Sequence, residues 1–145
     1  MIAANHGHIV TVASMAAFVA APFMVDYGSS KAAAQSFHEG LALELLYTYN
    51  APKVRTTLVS QGYVKTPLFK GFKSEKTMLL PALEPETLAE AIVQQIFNAS
   101  SGHVILPRVY GLTTGLRGFP SWMQNLVRST TSDVMKKWDG KQVIE

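Results

Sequence analysis

The sequence contains no cysteine, which excludes disulfides, thiolate metal sites and a cysteine nucleophile, and leaves the compartment open. Charge is also sparse. Only 16% of residues are charged, and 13 basic against 10 acidic side chains leave a formal net charge of +3. The basic residues do not gather into the dense run that marks a nucleic-acid-binding face, so no nucleic-acid partner is expected. No window approaches the ~20 apolar residues that cross a bilayer. The opening MIAANHGH has no basic segment ahead of an apolar one, so neither a span nor a signal peptide is read. A cytoplasmic or peripheral intracellular location is the expectation. Repeats and low-complexity tracts are absent as well.

What is present suits one globular unit: 145 residues, 48% of them hydrophobic, can enclose a core. Residues 8–14 (HIVTVAS) are β-branched and small without clean alternation, the pattern of a central parallel strand buried on both faces. Ala34, Phe37, Leu41 and Leu45 then recur at spacings of three and four, predicting an amphipathic helix over about 26–49. Asn50, Ala51 and Pro52 interrupt it. Residues 54–60 (VRTTLVS) read as a second strand. After a Lys-rich stretch, Pro85 and Glu86 open a helix carrying Leu88, Ile92, Val93 and Ile96 on one face, stopped near Gly102. Residues 103–106 (HVIL) form a third strand, and a last helix is expected over 121–137. Strands alternating with helices predict an α/β fold with a parallel sheet and helices on its faces.

In such sheets ligands bind beyond the carboxyl ends of the strands, which directs attention to Ser14 and to residues 62–66. Tyr27 and Lys31 open the helix between the two strands. They lie four residues apart and so share a helical face. A phenol ionises near pH 10 and is a weak base at neutrality, whereas a cation beside it favours the phenolate. Lys31 is therefore placed to make Tyr27 a usable acid/base. The Ser14 hydroxyl can donate to a substrate oxygen as charge develops there. Tyr-x-x-x-Lys alone arises by chance in many helices. The joint order of a serine after a strand, then Tyr and Lys opening a helix, then a glycine loop with Thr66, is much more specific.

Ser14 followed by Tyr27-Gly28-Ser29-Ser30-Lys31-Ala32-Ala33-Ala34 resembles the active site of the short-chain dehydrogenases/reductases, of classical type. The wording HIVTVAS and YGSSKAAAQSFHEGLALEL is similar to the retinol and hydroxysteroid dehydrogenase branch. The resemblance implies a Rossmann-like doubly wound sheet and an NAD- or NADP-dependent oxidoreductase acting on an alcohol or carbonyl, and no metal site is expected. It implies that Tyr27 is the general acid/base, that Ser14 orients the substrate oxygen, and that Lys31 also hydrogen-bonds the nicotinamide ribose. Residues 60–66 (SQGYVKT) resemble the family's Pro-Gly segment, implying cofactor contacts at Gly62, Val64 and Thr66 beside Tyr27 and Lys31. Gln61 replaces the customary proline. The resemblance covers about 7–106 and fades beyond, which sets apart residues 1–106 as the C-terminal half of a Rossmann-like domain from a variable substrate-side tail, 107–145. A homo-oligomer formed through the Tyr27 helix is implied for the full-length enzyme.

The family's glycine-rich fingerprint, which holds the cofactor pyrophosphate at a helix N-terminus, has no counterpart here. The cofactor-binding half is thus expected to be missing, leaving a fragment that neither holds NAD(P)H tightly nor turns over. The alternative reading is a non-catalytic binding or subunit-interaction module. A lyase or epimerase on the same scaffold would keep the same three residues. His6 and His8 read as a solvated turn and not as metal ligands. Lys65, Lys70, Lys73 and Lys76 read as a solvated basic loop, with Leu68, Phe69 and Phe72 as a lid over an apolar substrate. Leu116, Phe119, Trp122, Met123, Leu126 and Val127, beside Arg117 and Arg128, read as packing residues, with peripheral membrane contact the other reading.

Overall fold

The computed structural model describes residues 1–67 and 82–131. Three strands, β1 (Gly7–Val12), β2 (Val54–Gln61) and β3 (Gly102–Leu106), form one sheet in the order β1-β2-β3. Both ladders are parallel, with Val10 opposite Thr57 and Val59 opposite Val104. Three helices accompany them: α1 (Val25–Leu43), α2 (Pro85–Phe97) and α3 (Ser121–Ser129). This is the α/β class expected from the alternation of elements and the partial Rossmann-like sheet that the resemblance implied.

The central strand is β2 and not β1. Thr57, Val59 and Ser60 are fully buried, because β2 has a ladder on each side. Among the described residues β1 pairs with β2 alone, so its residues are only half-buried and Val12 is 45% exposed. Residues in register on parallel strands point to the same face. Thr11, Leu58 and His103 form one such rank and look toward α1, where the His38 Nδ1 hydrogen-bonds the Thr11 hydroxyl at 2.9 Å. Gly102, in register with Thr57, looks the other way: a Cβ there would stand 2.8 Å from the Gln95 amide of α2. The sheet thus carries a helix on each face.

The face that α1 buries differs from the expected one. Phe37 points outward and is 67% exposed, while His38 turns to the sheet and is 5% exposed. The histidine is accommodated because Thr11 satisfies its ring, removing most of the penalty for burying a polar group. Leu41 and Leu45 do face inward, packing with Ile9, Ala51 and Val54. Beyond Leu43 the helix widens into a π-helical turn, Glu44–Thr48. It closes with the Ala51 amide donating to the Leu45 carbonyl at 2.8 Å and Asn50 at a φ of 47°. Asparagine tolerates that left-handed conformation and ends the helix without glycine.

Helix α2 begins at Pro85, whose fixed φ suits a first helical position. It ends earlier than expected, at Phe97, and Ala99 takes the left-handed turn at a φ of 48°. Gly102 opens β3 and does not stop the helix. Of its expected apolar face, Leu88 and Ile92 are half-buried, whereas Val93 and Ile96 are exposed. Residues 108–118 form a run of 3-10 turns, Arg108–Gly118, which the sequence pattern did not signal. Helix α3 is found from Ser121 to Ser129, and the rest of the expected 121–137 helix lies outside the described residues beyond Thr131.

Candidate active site

The carboxyl ends of β1 and β2 lie side by side, and the Ala13 amide extends their ladder by donating to the Val59 carbonyl at 2.8 Å. Ser14 comes next, after the strand and not within it. Its backbone is extended and it caps a short 3-10 turn, Met15–Ala17. The Ser14 Oγ accepts from the Ala16 amide at 3.2 Å, which engages a lone pair and leaves the hydroxyl proton uncommitted. Met15, Ala17 and Phe18 are buried together, with Ala32, Ile105 and Tyr110 against them.

The chain enters α1 through Phe23, a non-glycine residue at a φ of 64° with its ring 70% exposed. Such a conformation costs roughly 1–2 kcal/mol. Asp26 Oδ1 then accepts from the Tyr27 amide at 2.8 Å, satisfying one of the free N–H groups of the first turn. Gly28 allows close approach: a Cβ there would stand 3.3 Å from the Ala16 carbonyl. The first turn of α1 therefore rests directly on the turn that Ser14 caps. One helical turn on, Lys31 Nζ donates to the Val12 carbonyl at 3.0 Å and stands 5.7 Å from the centre of the Tyr27 ring. The ammonium is held where β1 ends, beside the phenol. Ser14, Tyr27 and Lys31 are thus drawn to one strand end.

The residues expected beyond β2 form a neighbouring loop. The Gly62 amide donates to the Leu106 carbonyl at 2.8 Å, so it is committed to β3. A Cβ on Gly62 would stand 2.5 Å from the Tyr110 ring. Val64 is buried and bridges to Leu83. The Lys65 amide donates to Leu83 and the Tyr63 carbonyl accepts from the Leu83 amide, each at 2.9 Å. Thr66 is half-buried. Lys65 is ion-paired with Glu84, so it is not merely solvated. Lys70, Lys73, Lys76, Leu68, Phe69 and Phe72 lie outside the described residues.

His8 departs from the expected turn, since it lies in β1 with its Nε2 2.7 Å from the Thr57 hydroxyl. His103 pairs likewise with Ser60 at 2.9 Å and stacks on Phe18 with ring centres 6.1 Å apart. Burial holds both His38 and His103 below the ordinary histidine pKa, and His38 pushes His103 further down. Burial raises the Tyr110 phenol above its ordinary value. No group of three or more potential metal ligands occurs among the described residues. None of their helices is long and apolar enough to cross a membrane.

Sequence reasoning expected Leu116 as a packing residue but missed the reach of Arg117 into this region. Leu116 is buried, and the Arg117 Nη2 donates to the Ala17 carbonyl at 2.7 Å. Phe119, Trp122 and Leu126 of the expected packing set are exposed, and Met123 and Val127 are half-buried. Contacts spanning this much sequence leave no local signal.

Residues 1–77 match the family model described as short chain dehydrogenase. The chain belongs to that family. It is 59% identical over 59 residues to Dehydrogenase RED2 of Cochliobolus heterostrophus, covering 41% of this chain and 22% of that protein. It is 40% identical over 117 residues to human estradiol 17-beta-dehydrogenase 11, covering 80% of this chain and 37% of that protein. It is also 29% identical over 140 residues to human epidermal retinol dehydrogenase 2, covering 97% of this chain and 45% of that protein. With the estradiol dehydrogenase, this supports the hydroxysteroid and retinol dehydrogenase branch. In fold it is similar to a short chain dehydrogenase from Mycobacterium paratuberculosis bound to NAD, with a TM-score of 0.52 and 22% identity. That likeness covers 72% of this chain and 45% of the other. The chain thus spans less than half the length of the relatives it matches.

Proposed function

We propose that these residues are the acid-base half of an NAD- or NADP-dependent oxidoreductase acting on a lipophilic alcohol or its carbonyl partner. The observation that carries the proposal is the placement of Lys31, held by the Val12 carbonyl beside the Tyr27 ring, in a helix turn that rests on the turn capped by Ser14. The donor set suits the nicotinamide end of such a cofactor. Lys31 has three ammonium protons and one goes to Val12, leaving two for the hydroxyls of a ribose. A glycine-rich turn for the pyrophosphate is not among these residues. The cofactor, when bound, supplies the acceptor or donor of hydride.

In oxidation the substrate hydroxyl sits between Ser14 and Tyr27. Ser14 donates its uncommitted proton to the substrate oxygen, and Tyr27, as phenolate, takes the substrate's hydroxyl proton while its carbinol C–H leaves as hydride. The Lys31 ammonium steadies the phenolate. In reduction Tyr27 returns that proton to the oxygen, and Ser14 stabilises the negative charge developing there. Gly62, Val64 and Thr66, in the loop that follows β2, are proposed to flank the nicotinamide. Residues 1–106 carry this machinery, and 107–145 form the substrate side. The outward residues Phe37 and Leu43 of α1 and Tyr47 of the π-helical turn after it, all exposed, are proposed to meet a second copy of the enzyme.

The test uses the product of the complete reading frame, assayed with NAD and NADP against a panel of lipophilic secondary alcohols. Tyr27→Phe is expected to lower turnover by at least about 10²-fold and to leave cofactor affinity within about twofold, since it removes the acid/base and keeps the ring. Undiminished turnover in Tyr27→Phe overturns the assignment.

A further inference from the structure

The turn capped by Ser14 is gripped from two sides. On one, the Ala16 carbonyl lies over Gly28 of α1. On the other, the Arg117 guanidinium reaches the Ala17 carbonyl across 100 residues of sequence. Ala17 is also the residue whose amide donates to the Ser14 carbonyl, at 3.0 Å. Its carbonyl is one of those left without a partner when a short helical turn ends, and a cation is favourable there. Ala17 is 3% exposed, so without Arg117 that carbonyl would be buried and unsatisfied.

Arg117 is itself anchored. Its neighbour Leu116 is 4% exposed, and the Gln124 amide of α3 donates to the carbonyls of Arg117 and Phe119, at 3.4 and 2.7 Å. Upstream in the same segment, the Tyr110 ring lies against Gly62 and joins the cluster around Met15 and Phe18. Residues 108–118 therefore brace both loops of the candidate site. Among the described residues the only ion pair is Lys65–Glu84, so no described carboxylate is paired with Arg117.

We propose that Arg117 is a positioning residue for the proposed reaction: by holding the Ala17 carbonyl it fixes the turn that aims the Ser14 hydroxyl at the substrate oxygen. The inference rests on the oxidoreductase reading. It assigns to the C-terminal segment a part in catalytic geometry as well as in substrate contact.

The test is a double-variant cycle in the product of the complete reading frame, with Arg117→Met, Arg117→Lys and Ser14→Ala. Arg117→Met is expected to lower kcat about tenfold, with cofactor affinity within about twofold, and Arg117→Lys to recover part of the loss. In a Ser14→Ala background Arg117→Met should add less than about twofold, because the group it aims is gone. Hydrogen exchange at the Ala17 and Phe18 amides, read without substrate, should quicken in both Arg117 variants. Full additivity with Ser14→Ala, or unchanged exchange, overturns the proposal. If Arg117→Met fails to unfold cooperatively, Arg117→Lys carries the same cycle and is judged by the same criteria. An unsubstituted protein without turnover on any alcohol defeats the oxidoreductase reading instead, and the exchange arm then reports on the tether by itself.

Discussion

Ser14 accepts from a backbone amide and retains its proton, which is what a donor to a substrate oxygen requires; the same economy governs Gly62. There the missing side chain makes room for the Tyr110 ring, and the ring is packed among Met15, Ala17 and Phe18, so it has little freedom to retreat. Gly62→Ala is expected to cost about 1–3 kcal/mol, as overpacking does, seen as a lower thermal midpoint. Pairing it with Tyr110→Leu should recover most of the loss; equal midpoints for Gly62→Ala and the unsubstituted protein would show that the ring yields freely. At this scale the common placement of Ser14, Tyr27 and Lys31 was legible, because their order and the four-residue spacing fix where they fall; the chemistry read from their residue types is the part proposed. Arg117 was not, since its role depends on a hydrogen bond to a backbone carbonyl, and a carbonyl has no residue type to read.

At the scale of elements, the strands and the two long helices follow from composition and period, while the facing of α1 does not. The sequence offers Phe37 as the apolar residue and the fold buries His38, because Thr11 stands where the ring can bond it. Periodicity weighs hydrophobicity and is blind to a partner on another strand. This exchange makes the α1–sheet contact sensitive to pH. His38 is held below its ordinary pKa by burial, opposed by the neighbouring Glu39 carboxylate, and His103 is lowered by burial and by His38. The unfolded chain takes up these protons first, near pH 6.5. The stabilisation from neutral histidines is therefore complete above that value and falls as pH drops through it toward the lower folded-state values. Urea midpoints should decline between pH 7.5 and 5, and His38→Gln, which keeps a hydrogen-bonding group near Thr11, should flatten the decline. An identical slope in the variant would assign the pH dependence elsewhere. The π-helical turn after α1 had no forewarning in sequence, for it reflects how Leu45 meets Ala51 and Val54.

At the scale of the chain, the described residues place the proposed acid-base residues at the strand ends and include no glycine-rich cradle. Affinity in the micromolar range needs about 8 kcal/mol, much of which a dinucleotide draws from its pyrophosphate. Titration of the 145-residue chain with NADPH, followed by calorimetry or fluorescence, is expected to show no saturation in the micromolar range. Saturable micromolar binding would mean that the residues present suffice. The class of fold was legible because strand and helix periods alternate along the chain. The place of β1 within the sheet was not, because an apolar strand reads alike at the centre and at an edge, and only its neighbours decide its burial.

Both ladders share β2, and that has a consequence during synthesis. Gly7 pairs with Val54, and Thr57 with Gly102, so β1 leaves the ribosome some 47 residues (54 − 7) ahead of its partner. At about 5–20 residues per second, that interval lasts on the order of seconds. Through it, α1 is already available to shelter Ile9 and Thr11, against which it packs in the fold, and the β1–β2 ladder begins only when β2 arrives.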